Sequence, residues 1–89
     1  MLRISEIHSP NRSVTLRIEG RVIGPWVMEL RQTCDRLLSE GSVVRLDLNE
    51  VSFVDPEGIK SLLDLISKGV TLTDCSLFVE EQLRSARSG

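Results

Sequence analysis

The 89-residue sequence predicts a single α/β domain of order β-β-α-β-α-β-α, with a small mixed, mostly parallel sheet packed against helices. Three features carry that expectation. Residues 2–7 and 13–19 alternate apolar and polar with a period of two, the spacing of half-buried strands, and a short turn separates them. Residues 26–38 and 59–66 instead repeat apolar side chains at intervals of three and four, as an amphipathic helix does. Between these lies Val43 to Gly58, VVRLDLNEVSFVDPEG, which reads as a buried strand ending at a carboxylate-capped helix start. In folds that alternate strand and helix, that loop is where ligands and partners are met.

The first strand is Leu2-Arg3-Ile4-Ser5-Glu6-Ile7, and Ser9-Pro10-Asn11-Arg12 supplies a turn. In Ser13–Glu19, Val14, Leu16 and Ile18 face the core while Thr15 and Arg17 face water or an edge. So short a connection makes the pair an antiparallel hairpin, with Gly20 expected to end the second strand. Gly24-Pro25 opens a helix, because proline's missing N–H would be unpaired at the first helical position anyway. Trp26, Leu30, Cys34, Leu37 and Leu38 fall on one side of it, Glu29, Arg31, Asp35 and Arg36 on the other, and Gly41 is a natural stop.

Val43–Leu48 is the next strand, extended by Val51–Val54 after Asn49-Glu50. Asp55 caps the second helix, Pro56 suits its first turn, and Glu57 places negative charge where the helix dipole favours it. Ile59, Leu62, Leu63 and Ile66 line its inner face, and Lys68-Gly69 closes it. Val70–Thr73 is a final short strand, and Ser76 caps a third helix with Val79 and Leu83 inward. The domain is expected over 1–84, with 85–89 as a frayed tail. Alternation after the hairpin implies parallel strands joined by right-handed crossovers.

A hydrophobic share of 40% and a charged share of 27% are those of an ordinary globular protein. The net charge of −2, with lysine and arginine spread along the chain, leaves no electrostatic footprint for nucleic acid. No apolar run approaches the roughly 20 residues a membrane span needs, and no signal-peptide pattern opens the chain, so a cytoplasmic location is expected. Cys34 and Cys75 lack CxxC spacing and a histidine cluster, so buried free thiols are expected, with no metal and no cofactor.

The element order, together with Leu46-Asp47-Leu48, Val51-Ser52-Phe53-Val54, Asp55-Pro56-Glu57-Gly58, Ile59 and Leu62-Leu63, resembles the STAS domain, the fold of bacterial anti-sigma factor antagonists. Members of that family carry a strand, an apolar pair, then Asp-Ser-Ser-Gly or Asp-Thr-Gly-Gly leading into a helix. Ile18-Glu19-Gly20-Arg21-Val22 looks like the family's strand-Gly-Glu-Leu-Asp segment, with Arg21 in place of the usual acid. The resemblance covers nearly the whole chain and implies the fold and a partner-binding surface. In regulated antagonists the residue after the Asp is a Ser or Thr that a partner kinase phosphorylates. Here that position is Pro56 and the next is Glu57, neither with a hydroxyl, so the phosphorylation switch does not carry over.

Asp55 with Glu57 reads as helix capping and dipole complementation rather than a catalytic pair, because side chains two residues apart at a helix start do not face each other. Glu57 also admits a reading as permanent negative charge near the usual phosphosite. Ser52 is placed inside the strand extension and Ser61 on the outer helix face, both structural. His8 is a solvated loop histidine. Trp26 is either a core anchor or a partly exposed contact, tryptophan being over-represented at binding hot spots. No GxGxxG run or Walker-type loop is present.

The leading function is therefore a non-catalytic protein-interaction module. Its candidate face comprises Ser52, Asp55, Pro56, Glu57, Gly58, Lys60, Ser61 and Asp64, with Arg21 and Trp26 beside them. By resemblance the partner is an anti-sigma factor or a kinase-like regulator in bacterial signalling, with no nucleic acid and no direct membrane insertion. The alternative is an accessory STAS-type subunit of a membrane transporter, such as a lipid-transport ABC system, which equally needs no phosphosite. An enzyme lacks a convergent polar constellation. A homodimer is also open, since the N-terminal strand is expected at a sheet edge, and exposed edges invite pairing.

Overall fold

The computed structural model describes residues 2–88, and the two alternating segments at their start form the expected hairpin. β1 (Leu2–Ser9) pairs antiparallel with β2 (Ser13–Val22), from Leu2 opposite Gly20 to Ser9 opposite Ser13. The chain continues through α1 (Pro25–Ser39), β3 (Val43–Val54), α2 (Pro56–Ser67), β4 (Thr71–Cys75) and α3 (Leu77–Ser88). The sheet order is β1-β2-β3-β4, and both β2–β3 and β3–β4 are parallel. Val43–Leu48 thus lies in the sheet interior, and both outer strands, β1 and β4, are edges.

Inward residues of the central strands share one face. Val14, Leu16, Ile18 and Val22 of β2 join Val44, Leu46, Leu48, Val51 and Val54 of β3 in the core. Against them pack Val27, Leu30, Cys34 and Leu37 of α1, Ile59, Leu62 and Leu65 of α2, and Val79 and Leu83 of α3. The helices therefore form one layer and the sheet the other. The opposite sheet face carries exposed Arg17, Arg45 and Thr71, with ion pairs Arg3–Glu19 and Arg17–Asp47, each at 3.8 Å.

Several expected boundaries move, for physical reasons. Gly20 does not end β2. It sits beside a register shift against β3, and the strand runs on to Val22. The same irregularities explain β3: Leu48, Val51 and Val54 are all buried although three residues apart, because extra β3 residues bulge between their pairings with β2. In α1 the core position belongs to Val27, and Trp26 is only half-buried. In α2 Leu65 is fully buried, whereas Leu63 and Ile66 lie at the rim. β4 begins at Thr71 and continues to Cys75, whose thiol is half-buried rather than buried. Ser76 caps α3 as expected, its Oγ accepting from the Val79 N–H at 3.4 Å, and the helix extends to Ser88, through most of the expected tail.

Candidate protein-interaction face

The site is built where two parallel strands end level. Val22 pairs with Val54, and the Asp55 N–H donates to the Val22 carbonyl at 3.0 Å. From there both chains turn directly into helices, each with proline at its start. Gly24 makes the first turn at φ 54° and ψ −133°, a conformation open to glycine and costly for a residue with a Cβ.

Asp55 ties the two turns together. Its Oδ1 accepts from the Gly58 N–H at 2.7 Å, the capping bond that Asp-Pro-Glu predicts. Its Oδ2 accepts from the Gly24 N–H at 2.9 Å, across 31 residues of sequence. One carboxylate therefore pins both loops and sits at the positive ends of both helix dipoles. It takes the Gly24 and Gly58 N–H groups, donors that an external anion between these two helix starts would use. Pro25 and Pro56 have no N–H to offer, and those of Trp26 and Val27 already donate to Ile23 and Gly24 carbonyls.

Gly58 is a packing requirement. A Cβ there would stand 2.6 Å from Val54 Cγ1, 3.0 Å from the Val22 carbonyl oxygen and 3.2 Å from Asp55 Oδ1. The residue is buried, so it shapes the candidate face from beneath and presents nothing to a partner.

The other candidates divide by exposure. Arg21, Ser52, Pro56, Glu57 and Lys60 are exposed, and Glu57 lies 3.8 Å from Lys60 along the first turns of α2. Ser52 Oγ donates to the Gly20 carbonyl at 3.3 Å, which holds the β3 extension against β2. A hollow of about 400 Å³ lined by Arg21, Ile23, Ser52 and Phe53 brings the β2 end and the β3 extension together. Ser61 is half-buried and faces a second hollow, of about 330 Å³, between α1 and α2, shared with Gly24, Val27, Met28, Arg31 and Glu57; it does not project from the outer helix face. Asp64 is committed to an interhelical network. It pairs with Arg31 of α1 and, at 3.6 Å, with Lys68, while Asp35 lies 3.6 Å from Lys68 and 3.9 Å from Arg31.

Sequence reasoning overlooked three exposed apolar side chains nearby: Met28, Phe53 and Phe78. Strict alternation from Leu48 points Phe53 outward, as found, but misplaces Val51, which is buried, and Glu50 and Ser52, which are exposed, because the bulges reset which side of β3 faces the core. Both thiols are held in the neutral form. Burial pushes Cys34 up to about 12, with the Asp35 carboxylate adding to the effect, and burial also raises Cys75, helped by Glu80. Among the described residues no group of three or more His, Cys, Asp or Glu side chains is placed to hold a metal ion, and no helix is long and apolar enough to cross a membrane.

No protein-family model matches the chain, and no curated protein matches it in sequence. Solved structures match in three dimensions. The anti-sigma factor antagonist SpoIIAA in its unphosphorylated form is similar with a TM-score of 0.74 at 16% identity, over 92% of this chain and 82% of that one. An anti-sigma factor antagonist from Mycobacterium paratuberculosis is similar with a TM-score of 0.70 at 15% identity, over 83% and 68% of the two chains. The STAS domain of an antisigma-factor antagonist from Rhodobacter sphaeroides reaches 0.66 at 17% identity, over 85% and 87%. The chain therefore has the fold of the STAS domains of anti-sigma factor antagonists.

Proposed function

We propose that this chain is a non-catalytic, cytoplasmic protein-interaction module that binds an anti-sigma factor or a related kinase-like regulator without a phosphorylation switch. Its contact surface is formed by the exposed Ser52, Pro56 and Glu57 around the β3–α2 junction with Lys60 on α2, flanked by Arg21 and the half-buried Trp26. The observation that carries the reading is the junction itself. On an antagonist fold it is presented at the C-terminal ends of two parallel strands and pinned by both oxygens of Asp55. Pro56 stands where regulated antagonists carry the acceptor hydroxyl, and it has none to phosphorylate.

The test is calorimetric titration of the purified chain against anti-sigma factors encoded in its own genome. Binding should weaken at least about tenfold in Glu57→Lys and Lys60→Glu, both exposed positions whose change leaves the fold intact. With ATP present the parent should take up no phosphoryl group, whereas Pro56→Ser introduces an acceptor hydroxyl and should be labelled. Asp55 is unsuitable for this purpose, since its loss would loosen two loops at once. Equal affinity of the parent and both charge reversals would remove the proposed surface. Failure to bind any anti-sigma factor, with association to a transporter ATPase instead, would put the accessory-subunit reading in its place.

A further inference from the structure

The core of this protein is aliphatic, and both of its phenylalanines stand at the surface against each other. Phe53, at the end of β3, and Phe78, in the first turn of α3, have ring centroids 6.1 Å apart with planes inclined at 32°. Phe53 is 39% exposed and Phe78 54%, and Leu77 beside them is 81% exposed. Clustered exposed aromatics mark association surfaces, because few other side chains bury as much apolar area in one contact.

The patch borders a groove of about 530 Å³ between α2 and α3. Pro56, Ile59 and Lys60 form its α2 wall, and Phe78, Glu81 and Gln82 lie on its α3 wall. Each set falls at i, i+3, i+4 and so forms one helical stripe. The rims carry opposite charges, Lys60 on one and Glu81 on the other. Each pairs within its own helix, Lys60 with Glu57 at 3.8 Å and Glu81 with Arg84 at 3.1 Å, the exposed kind of pair that contributes little.

We propose that this groove is covered by a second copy of the chain, related by a two-fold axis running along it. That axis lays the α2 wall of one copy over the α3 wall of the other. Lys60 then faces Glu81 of the second copy, and Glu81 faces Lys60 of the second copy, while Phe78 is covered by Pro56 and Ile59 of the second copy. A rim of mixed sign is complementary to itself under this operation, and the contact closes as a dimer. The surface differs from the β1 edge, where an unpaired strand would join two sheets.

Sedimentation equilibrium of the purified chain, from about 10 μM to about 1 mM, reads the association directly. The parent should show a monomer–dimer equilibrium that weakens with added salt. Phe78→Ser, Lys60→Glu and Glu81→Lys should each raise the dissociation constant about tenfold or more, and the double variant Lys60→Glu/Glu81→Lys should return it to within about threefold of the parent. Circular dichroism and thermal melting confirm that each variant is folded. A parent that stays monomeric throughout overturns the proposal and leaves the patch to a different protein. A dimer indifferent to Phe78→Ser overturns it too, placing association elsewhere, such as the β1 edge. So does failure of the double variant to recover.

Discussion

Gly58→Ala is the sharpest probe of how the strand ends and α2 are fitted together. In an exposed helix the change would stabilise, since alanine is favoured over glycine by about 1 kcal/mol. Here the new methyl group would meet Val54 Cγ1 at 2.6 Å and the Val22 carbonyl at 3.0 Å, with Asp55 Oδ1 at 3.2 Å. Val54 and Val22 are fully buried, and the Val22 carbonyl is fixed by the Asp55 N–H, so none of these can swing aside as a flexible surface side chain would. Overpacking of this kind costs about 1–3 kcal/mol. Displacing the Asp55 carboxylate from the helix start adds about 1 kcal/mol. Against a helical gain of about 1 kcal/mol, the net loss is about 2 kcal/mol, or roughly 10 °C in Tm for a domain of this size. Thermal melting followed by circular dichroism measures it. Gly24→Ala supplies the contrast, because its Cβ would meet nothing within 4 Å and its penalty, about 1–3 kcal/mol, comes from its backbone conformation alone. A Gly58→Ala variant as stable as the parent, or more so, would refute the close approach of α2 to the strand ends.

Asp55→Ala removes both the capping bond and the bond to Gly24, and should lower stability by about 2 kcal/mol in urea unfolding followed by Trp26 fluorescence. Asp64→Asn should cost less than about 1 kcal/mol by the same assay, because the network it joins lies partly in solvent. Cys75 should react with a thiol reagent in the native protein well before Cys34, which is fully buried and becomes available only on unfolding. Cys34 also makes stability depend on alkaline pH. Its folded thiol titrates near 12, against 9.0 for an ordinary cysteine, so above pH 9 the unfolded chain loses a proton that the folded chain keeps. Stability should therefore fall as pH rises through that interval, by up to about 1.4 kcal/mol per unit, and comparison with Cys34→Ala between pH 9 and 10 isolates the contribution.

The order of elements was legible because each segment repeats its apolar residues with one period, and the hairpin left a single economical sheet. Local chemistry was equally readable at Asp55-Pro56-Glu57, where all three side chains favour a helix start. What escaped was whatever depends on contacts distant in sequence. The bond from Asp55 to Gly24 joins loops 31 residues apart, and nothing around either residue announces it. Gly58 resembled part of a binding motif, and its true constraint comes from the level ends of Val22 and Val54. The phase of α1 was ambiguous for a related reason. Trp26 and Val27 are both apolar and both precede Leu30 at helical spacing, and only packing on the sheet gives the core to Val27. Asp64 looked like a free surface acid until α1 brought Arg31 to it.

The β3–α2 junction keeps its shape with proline directly after Asp55. None of the hydrogen bonds that pin it involves the side chain after Asp55. The carboxylate supplies two, the backbone from Asp55 to Val22 supplies another, and Ser52 holds the preceding strand. Pro56 adds its own constraint, fixing φ near the helical value and removing a donor that the first turn does not use. The side chain at position 56 thus takes no part in pinning the junction, whereas the Asp55 carboxylate and the bare backbone of Gly58 are required. Any residue that suits a first helical turn is therefore compatible with the same junction. Negative charge stands beside it at the exposed Glu57, one carboxylate with fewer acceptor oxygens than a phosphoryl group would have. Under the proposed function, control of the chain's encounters rests with the abundance or the state of whatever binds it.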